Sequence, residues 1–400
     1  MRLAGRAIAV VGAGIGGLAA ATALAQRGAS VAVYEQAPAL TEVGAGLQVA
    51  PNGVAVLEAL GLRDAAETVA SLPDAVELHD WRREGAVARV GLGLEAVARY
   101  GRPYWQFHRA DLLAVLATGA AGAGAAIHPG RRVETVVPAR DAVELRLADG
   151  TTASAEIVIA ADGVRSAVRS AHVGGGAPRF TGHVAWRGLV PGDRAPAAFL
   201  RSQVRVTMGP GRHVVTYPLR GASVVNIVAI EERDAWTAEG WTAPDDPANL
   251  RAAFAGWCGP VAALLAEVRD CFLWGLFDHP PLPRWTDGRL ALLGDACHPM
   301  LPFLAQGATM AIEDAWVLAD ILDLADDPVA GLVAYETARM GRTGRVQRAA
   351  ARNGRVYHLG PGMREPVHLA LRAATALAPG LLSRRFDWLF GEDVTRVTAS

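Results

Sequence analysis

Cysteine is scarce in this chain of 400 residues: Cys258, Cys271 and Cys297 are the whole complement. Three scattered thiols cannot build a disulfide framework, and no CxxC or HxxxH spacing accompanies them to suggest a zinc site. An excess of one charge is missing as well. The 39 basic and 40 acidic residues leave a net charge of -1. That removes the electrostatic basis for nucleic acid or an anionic membrane as partner and directs attention to a small molecule. Internal repeats, low-complexity tracts and long linkers are absent; Ala and Gly supply much of the 51% hydrophobic content. The composition reads as a cytoplasmic protein without a membrane anchor. One stretch could mislead, because residues 7–25, "AIAVVGAGIGGLAAATALA", are long, apolar and uncharged. Four glycines crowded into positions 12–17 break it into a strand, a turn and a helix.

The length allows two domains, or one with a large insertion. Residues 6–11 read as a buried strand, Gly12–Gly17 as a tight turn, 18–27 as a helix ending at Gly28, and 30–35 as a second strand, together a βαβ unit. Residues 103–108 and 109–121 continue as strand and helix. Segments 131–138, 142–147 and 153–160, with an Asp-Gly turn at 149–150, read as a small antiparallel meander. Between about 177 and 284 the pattern changes to Val-rich strands at 183–190, 203–208, 213–219 and 223–230. An apolar, parallel-type strand returns at 289–293, followed by helices at 307–323 and 328–358. The expected architecture is α/β. A Rossmann-like domain is assembled from 1–75, 101–176 and 285–345, an inserted, mostly antiparallel β-sheet domain from 76–100 and 177–284, and a C-terminal helical segment from 346–400.

The turn carries Gly12-x-Gly14-x-x-Gly17, with Glu35 at the end of the next strand. Gly12 permits the turn, Gly14 removes a side chain that would block a pyrophosphate, and Gly17 lets helix and strand pack closely. The helix N-terminus offers free N–H groups to phosphates, and Glu35 can accept from both ribose hydroxyls. This is an adenine dinucleotide site, against the alternative of a glycine-rich helix start beside an exposed acid. The motif alone leaves FAD and NAD open. "GRLALLGDACHP" at 288–299 decides for FAD, because Gly294 and Asp295 end a strand where a carboxylate can meet a polyol, and NAD has no ribityl chain. A second acidic turn, "AADGVRSAVR" at 160–169, places Asp162 and Gly163 after another apolar strand, followed by Arg165, Ser166 and Arg169.

These three blocks, in this order, resemble those of the single-component FAD-dependent aromatic monooxygenases. The likeness extends to "GAGLQVAPNGVAVLEALGL" at 44–62, "HRADLL" at 108–113, "WRGLVP" at 186–191, "RNGRVYHLGPG" at 352–362 and "FDWLFGED" at 386–393. It is nearest to the branch of salicylate hydroxylase, 3-hydroxybenzoate 6-hydroxylase and 6-hydroxynicotinate 3-monooxygenase, without the thioredoxin-like extension of phenol hydroxylases. The resemblance implies an FAD-binding domain of the glutathione-reductase type. It also implies NADH or NADPH as a transient co-substrate, O2, a small aromatic substrate hydroxylated through a flavin C4a-hydroperoxide, and a monomer or homodimer. No second Gly-rich nicotinamide domain is visible, in keeping with a reductant that visits the flavin. By position, Gly12, Gly14, Gly17 and Glu35 would hold the ADP half, with Val133 and Asp162 also against the cofactor. Arg109, Gly294 and Asp295 would hold the ribityl and phosphate region, and the 44–48 loop with Leu47, Gly307 and Ala308 would border the isoalloxazine. A helix beginning near Gly307 would point its dipole at the edge where the reduced flavin gathers negative charge. Cys297 and His298 then become loop residues, against the alternative of a reactive thiolate pair.

Hydroxylation of a phenol needs the ring activated by loss of the phenolic proton, so a base or relay must stand beside it. In "GRHVVTYPL" at 211–219 a strand would put His213, Val215 and Tyr217 on one face, and the His-x-x-x-Tyr-Pro spacing resembles the branch's active-site strand. An ordinary core-facing His and Tyr remains the alternative. Leu47, Gln48, Val215, Pro302 and Phe303 complete the expected substrate pocket. The chain departs from its branch where relatives carry histidines at the positions of Phe303 and Leu47 and glutamine at that of Pro302. The pocket is more apolar, so a bulkier or less polar phenolic or heteroaromatic acid is expected. Arg187, Arg201, Arg205 and Arg212 are candidate carboxylate partners, each competing with a role as a solvated strand residue. A reductase, dehydrogenase or epoxidase on the same scaffold, or an inactive flavin-binding module, are the competing functions.

Overall fold

The structure is a computed structural model that describes residues 2–40, 46–236 and 243–396. Ile8–Val11 are apolar and buried, as a parallel sheet with helices on its faces requires. Ala7–Val11 accordingly lies inside a six-stranded sheet, parallel to Ser30–Tyr34 on one side and Ile157–Ala160 on the other. The spatial order is Thr286–Asp287, Leu290–Leu292, Ile157–Ala160, Ala7–Val11, Ser30–Tyr34, Ala126–His128, with only the first pair antiparallel. Helix Ile15–Gln26 crosses helix Gly307–Leu324 at close range. A side chain at Gly16 would meet Leu293 Cδ2 at 2.6 Å and Ala311 Cβ at 3.0 Å, so the crossing depends on bare backbone there.

The second sheet has eight strands, in the order Pro244–Asp245, Cys271–Asp278, Arg179–Pro191, Val224–Glu232, Arg212–Leu219, Gln203–Gly209, Ala75–Asp80, Ala86–Gly91. It is antiparallel except where Gln203–Gly209 runs parallel to Ala75–Asp80. Between the two sheets sits a ladder of Gly46–Val49 and Trp105–His108. Three sequence expectations need correction. The segment 153–160 is two strands, because Thr152–Ala155 joins the three-stranded antiparallel sheet whereas Ile157–Ala160 enters the parallel one. The first helix begins at Ile15, its opening glycines being helical. A division at 345/346 falls inside one continuous helix, Pro328–Tyr357.

All 39 lysine-or-arginine positions are arginine, and two of them tie together the helices and the turn packed beside the first sheet. Arg339 is 2% exposed, and it reaches Asp314 at 2.6 Å through Nε and Glu313 at 2.7 Å. Arg342 makes a second pair with Glu313 at 2.7 Å. Asn52 donates to Glu313 at 2.6 Å, His298 meets Asp314 at 2.5 Å, and Gly294 donates its backbone N–H to Asp314 at 3.2 Å. Burial opposes ionisation of both acids, but the arginines, with His298 beside Asp314, hold both carboxyls below the ordinary range. The stability this gives is present at neutral pH and is lost as the pH falls through those depressed values. Arg339→Leu takes from two buried carboxylates the one cation they share, leaving Glu313 to Arg342 and Asn52 and Asp314 to His298 and the Gly294 N–H, and should cost about 3 kcal/mol in denaturant unfolding. A variant as stable as the wild type would mean the acids find other partners.

Candidate active site

A cavity of about 1300 Å³ runs from the glycine turn at Gly12 and Gly14, past Asp295 and Gly307, to His213, Tyr217 and Phe303. That exceeds the few hundred to about 1,000 Å³ usual for one drug-sized ligand, as a dinucleotide lying beside a second molecule would require. The sequence-expected residues gather on it: Glu35, Leu47, Gln48, Arg109, Val133, Asp162, Gly294, Ala308, Val215 and Pro302 are all in its wall. Gly17 is not. It stands behind the wall, where a Cβ would lie 2.0 Å from the Gly12 carbonyl oxygen, so it shapes the turn by packing. The start of the 44–48 loop, Gly44 and Ala45, lies outside the described residues.

At the adenine-nucleotide end, Gly12 has φ +100° and donates its N–H to the Tyr34 carbonyl at 2.8 Å. A Cβ on Gly14 would enter open space in the cavity. The helix starting at Ile15 has no side-chain cap, which leaves its first N–H groups for an anion. Glu35 is braced by the N–H groups of Ala13 and Ala37, both at 2.8 Å. Asp162 accepts from Val168 N–H at 3.3 Å through Oδ2, whereas Oδ1 is buried with no protein partner among the described residues. Burial raises its pKa, with Ser166 opposing. An unsatisfied buried carboxylate oxygen in a cavity wall is a demand for a ligand donor. Arg169, expected near this turn, instead ties it to the next block by donating to the carbonyls of Val164 at 2.9 Å and Ala296 at 3.1 Å.

In the middle of the cavity, Gly294 takes φ +64°, and the turn aims Asp295 inward. That carboxylate is accessible from the cavity yet enclosed by protein on its other sides. Loss of bulk water raises its pKa, opposed by His298 and Arg109. Arg109, the first residue of helix Arg109–Gly122, faces Asp295, and burial lowers its pKa. Helix Gly307–Leu324 begins in the same wall, its dipole directed into the void. Cys297 and His298 are not a reactive pair. Cys297 Sγ points to the Gly294 carbonyl at 3.3 Å, its thiol is pushed well up by burial, and His298 is spent on Asp314. These donors and acceptors fit FAD: open backbone for a pyrophosphate, a carboxylate for a polyol and a helix N-terminus for an electron-rich ring edge.

At the far end, strand Arg212–Leu219 presents His213, Val215 and Tyr217 to the cavity. Tyr217 packs so closely on Gly46 that a Cβ there would lie 2.5 Å from the phenol oxygen. Burial raises the Tyr217 pKa, with Arg187 and Gln48 opposing, so it is a protonated donor. His213 is pushed well below its usual value by burial and by His358 and His183, so it is a neutral acceptor. Of the four candidate arginines, the structure brings only Arg187 into the wall. It lies over the Trp274 ring at 4.2 Å, and burial together with Arg109 lowers its pKa to about 10. Arg205 sits by His79 at 3.2 Å, Arg212 bonds the Ala253 carbonyl at 2.6 Å, and Arg201 is exposed.

The sequence reading missed Tyr104 and the helix face at 349, 352, 353, 356 and 357 that closes this end. The i, i+3, i+4, i+7, i+8 spacing of that face was available in the sequence. Gly354 lets it approach, since a Cβ would lie 2.5 Å from the Phe303 ring, and Asn353 donates to the Phe303 carbonyl at 3.2 Å.

Residues 6–350 match the FAD binding domain family. The chain is 43% identical over 361 residues to a 3-amino-4-hydroxybenzoate 2-monooxygenase of Streptomyces platensis, covering 89% of each. It is 38% identical over 350 residues to the 6-hydroxynicotinate 3-monooxygenase of Bordetella bronchiseptica, covering 86% of this chain and 91% of that one. Among solved structures, a salicylate hydroxylase substrate complex superposes with a TM-score of 0.82 at 27% identity, covering 98% and 97% of the two chains. Klebsiella pneumoniae HpxO with FAD and uric acid gives 0.81 at 31%, covering 94% and 95%. The chain belongs to this family and is an FAD-dependent aromatic monooxygenase. Asp295→Ala, by removing the enclosed carboxylate, should weaken flavin binding by roughly 10- to 100-fold, the value of one hydrogen bond to a charged group. Flavin absorbance retained through gel filtration at the wild-type ratio would contradict this.

Proposed function

We propose that this enzyme uses NADH or NADPH and O2 to hydroxylate a phenolic or heteroaromatic ring that carries a carboxylate. Bound FAD supplies the redox chemistry that activates oxygen. We assign Gly12, Gly14 and Glu35 to its ADP half, Arg109, Val133, Asp162, Gly294 and Asp295 to its middle, and Leu47, Gly307 and Ala308 to its ring. In this reading 1–75, 101–176 and 285–345 carry the cofactor, and 76–100 and 177–284 carry the substrate. His213 accepts the phenolic proton and Tyr217 donates a hydrogen bond to the same oxygen, so the ring enters oxidation electron-rich. Arg187 holds the carboxylate. A cation buried beside a second cation, Arg109, is relieved by an anion. Gln48, Val215, Pro302 and Phe303 shape the pocket, and the apolar Leu47 and Phe303 exclude water from it.

The observation that carries this reading is a single void in which the glycine turn, Asp295 and Gly307 confront His213, Tyr217 and Arg187. The names of the relatives support the substrate class, since 3-amino-4-hydroxybenzoate, 6-hydroxynicotinate and 3-hydroxybenzoate are all ring-hydroxylated aromatic acids. The test is a screen of phenolic carboxylic acids for stimulated NADH or NADPH oxidation, with mass analysis for one added oxygen. With a substrate in hand, Arg187→Met should raise KM about 100-fold, the order lost when one partner of a buried charge pair is removed. It should lose less on the matching phenol without the carboxylate. Tyr217→Phe should keep its flavin and form product roughly tenfold more slowly. Undiminished product formation would remove Tyr217 from the mechanism.

A further inference from the structure

His213 does not end in the core. Its Nδ1 lies 2.6 Å from Nε2 of His358, and Nδ1 of His358 lies 2.7 Å from Oε1 of Glu232. His213 is fully buried, His358 is nearly so, and the Glu232 side chain is 53% exposed. The three residues come from strand Arg212–Leu219, the turn after helix Pro328–Tyr357, and the end of strand Val224–Glu232. Their arrangement fixes where the protons are. A carboxylate only accepts, so His358 carries its proton on Nδ1 and offers a lone pair at Nε2. His213 must then carry its own proton on Nδ1, which leaves Nε2 as the lone pair. That atom is buried and has no protein partner among the described residues, while the residue lines the cavity.

We propose that His358 and Glu232 form a proton relay that sets the tautomer of His213 and carries the substrate's ring-hydroxyl proton from the cavity to solvent. The proposal rests on the proposed function above. The phenol O–H bond breaks as His213 Nε2–H forms. The His213 Nδ1 proton passes to His358 Nε2, and the His358 Nδ1 proton passes to Glu232, which gives it to water or buffer. One proton enters and one leaves, with no change of oxidation state. Both imidazoles end in the opposite tautomer and are reset when the product departs as a phenol and a proton returns along the same path. The other neighbours of His213 are turned elsewhere or are apolar in their contact with it. The neighbouring His183 turns Nδ1 to the Thr181 carbonyl at 2.9 Å, and Tyr357 and Phe303 cover the remaining sides of His213, with ring centroids 5.1 and 5.2 Å away.

The experiment uses the flavin-loaded enzyme with a substrate from the screen, comparing His213→Asn, His358→Phe and Glu232→Gln for product formation in weak and strong buffer. His358→Phe should keep flavin and KM and lose roughly tenfold or more in kcat, recovered in part by added imidazole. Glu232→Gln preserves a hydrogen-bond acceptor on an exposed side chain but not the base. It should slow kcat about threefold in weak buffer and return to the wild-type rate in strong buffer. If His213→Asn is inactive while Glu232→Gln and His358→Phe keep wild-type kcat in weak buffer, the relay is overturned and the base assignment stands. Loss of kcat in both variants that neither imidazole nor buffer restores also overturns it, leaving a structural role. If His213→Asn is fully active, the base assignment itself falls.

Discussion

One buried guanidinium holds the cofactor end of this molecule in shape. Arg339 sits between Glu313 and Asp314, two consecutive acids on the helix whose N-terminus faces the cavity. Isolated, any of the three charges would be prohibitively costly to bury. Together they are satisfied, and their spare valences reach outward: Asp314 to the backbone of Gly294 and to His298, Glu313 to Asn52 and Arg342. The turn that aims Asp295, the helix that directs its dipole and the helix beginning at Pro51 are thus fixed to one another by charge and not by apolar packing alone. The fork of arginine suits this geometry because it serves two carboxylates at once.

From that frame the electrostatics of the cavity follow. Positive groups, Arg109 and Arg187, are spaced along a wall that also carries the carboxylates of Asp162 and Asp295. The far end is arranged differently, with a neutral imidazole and a protonated phenol on the same face of strand Arg212–Leu219. Such a pair can take a proton from an oxygen while still donating a hydrogen bond to it, which a charged pair could not do.

Much of this was legible in the sequence because it rests on short-range rules. Glycines at 12, 14 and 17 before a helix, Gly294-Asp295 after an apolar strand, and alternate residues His213, Val215 and Tyr217 on one strand each state their geometry within a few positions. The break at Glu156 was not legible, since two short strands separated by one residue look like one long one until they are assigned to different sheets. Arg187 was undervalued for a related reason: periodicity places it on a strand face but does not tell which face meets the other sheet. The charge network and the His358 contact join residues as much as 261 positions apart in the chain with no local signature. His298 looked like a partner for Cys297 only because the acid it serves is sixteen residues away.

Helix Pro328–Tyr357 spans both regions. Arg339 and Arg342 anchor its first half, and Arg352, Asn353 and Tyr357 border the substrate end. Thirteen residues separate Arg339 from Arg352, about 20 Å of rigid rise. The helix acts as a gauge block whose phase as well as length is set. Each residue turns the helix by about 100°, so gaining or losing one between the anchors would swing the cavity-facing side chains out of place. Divergent members of such a lineage can exchange side chains along this rod freely, but their alignments through it should run without gaps.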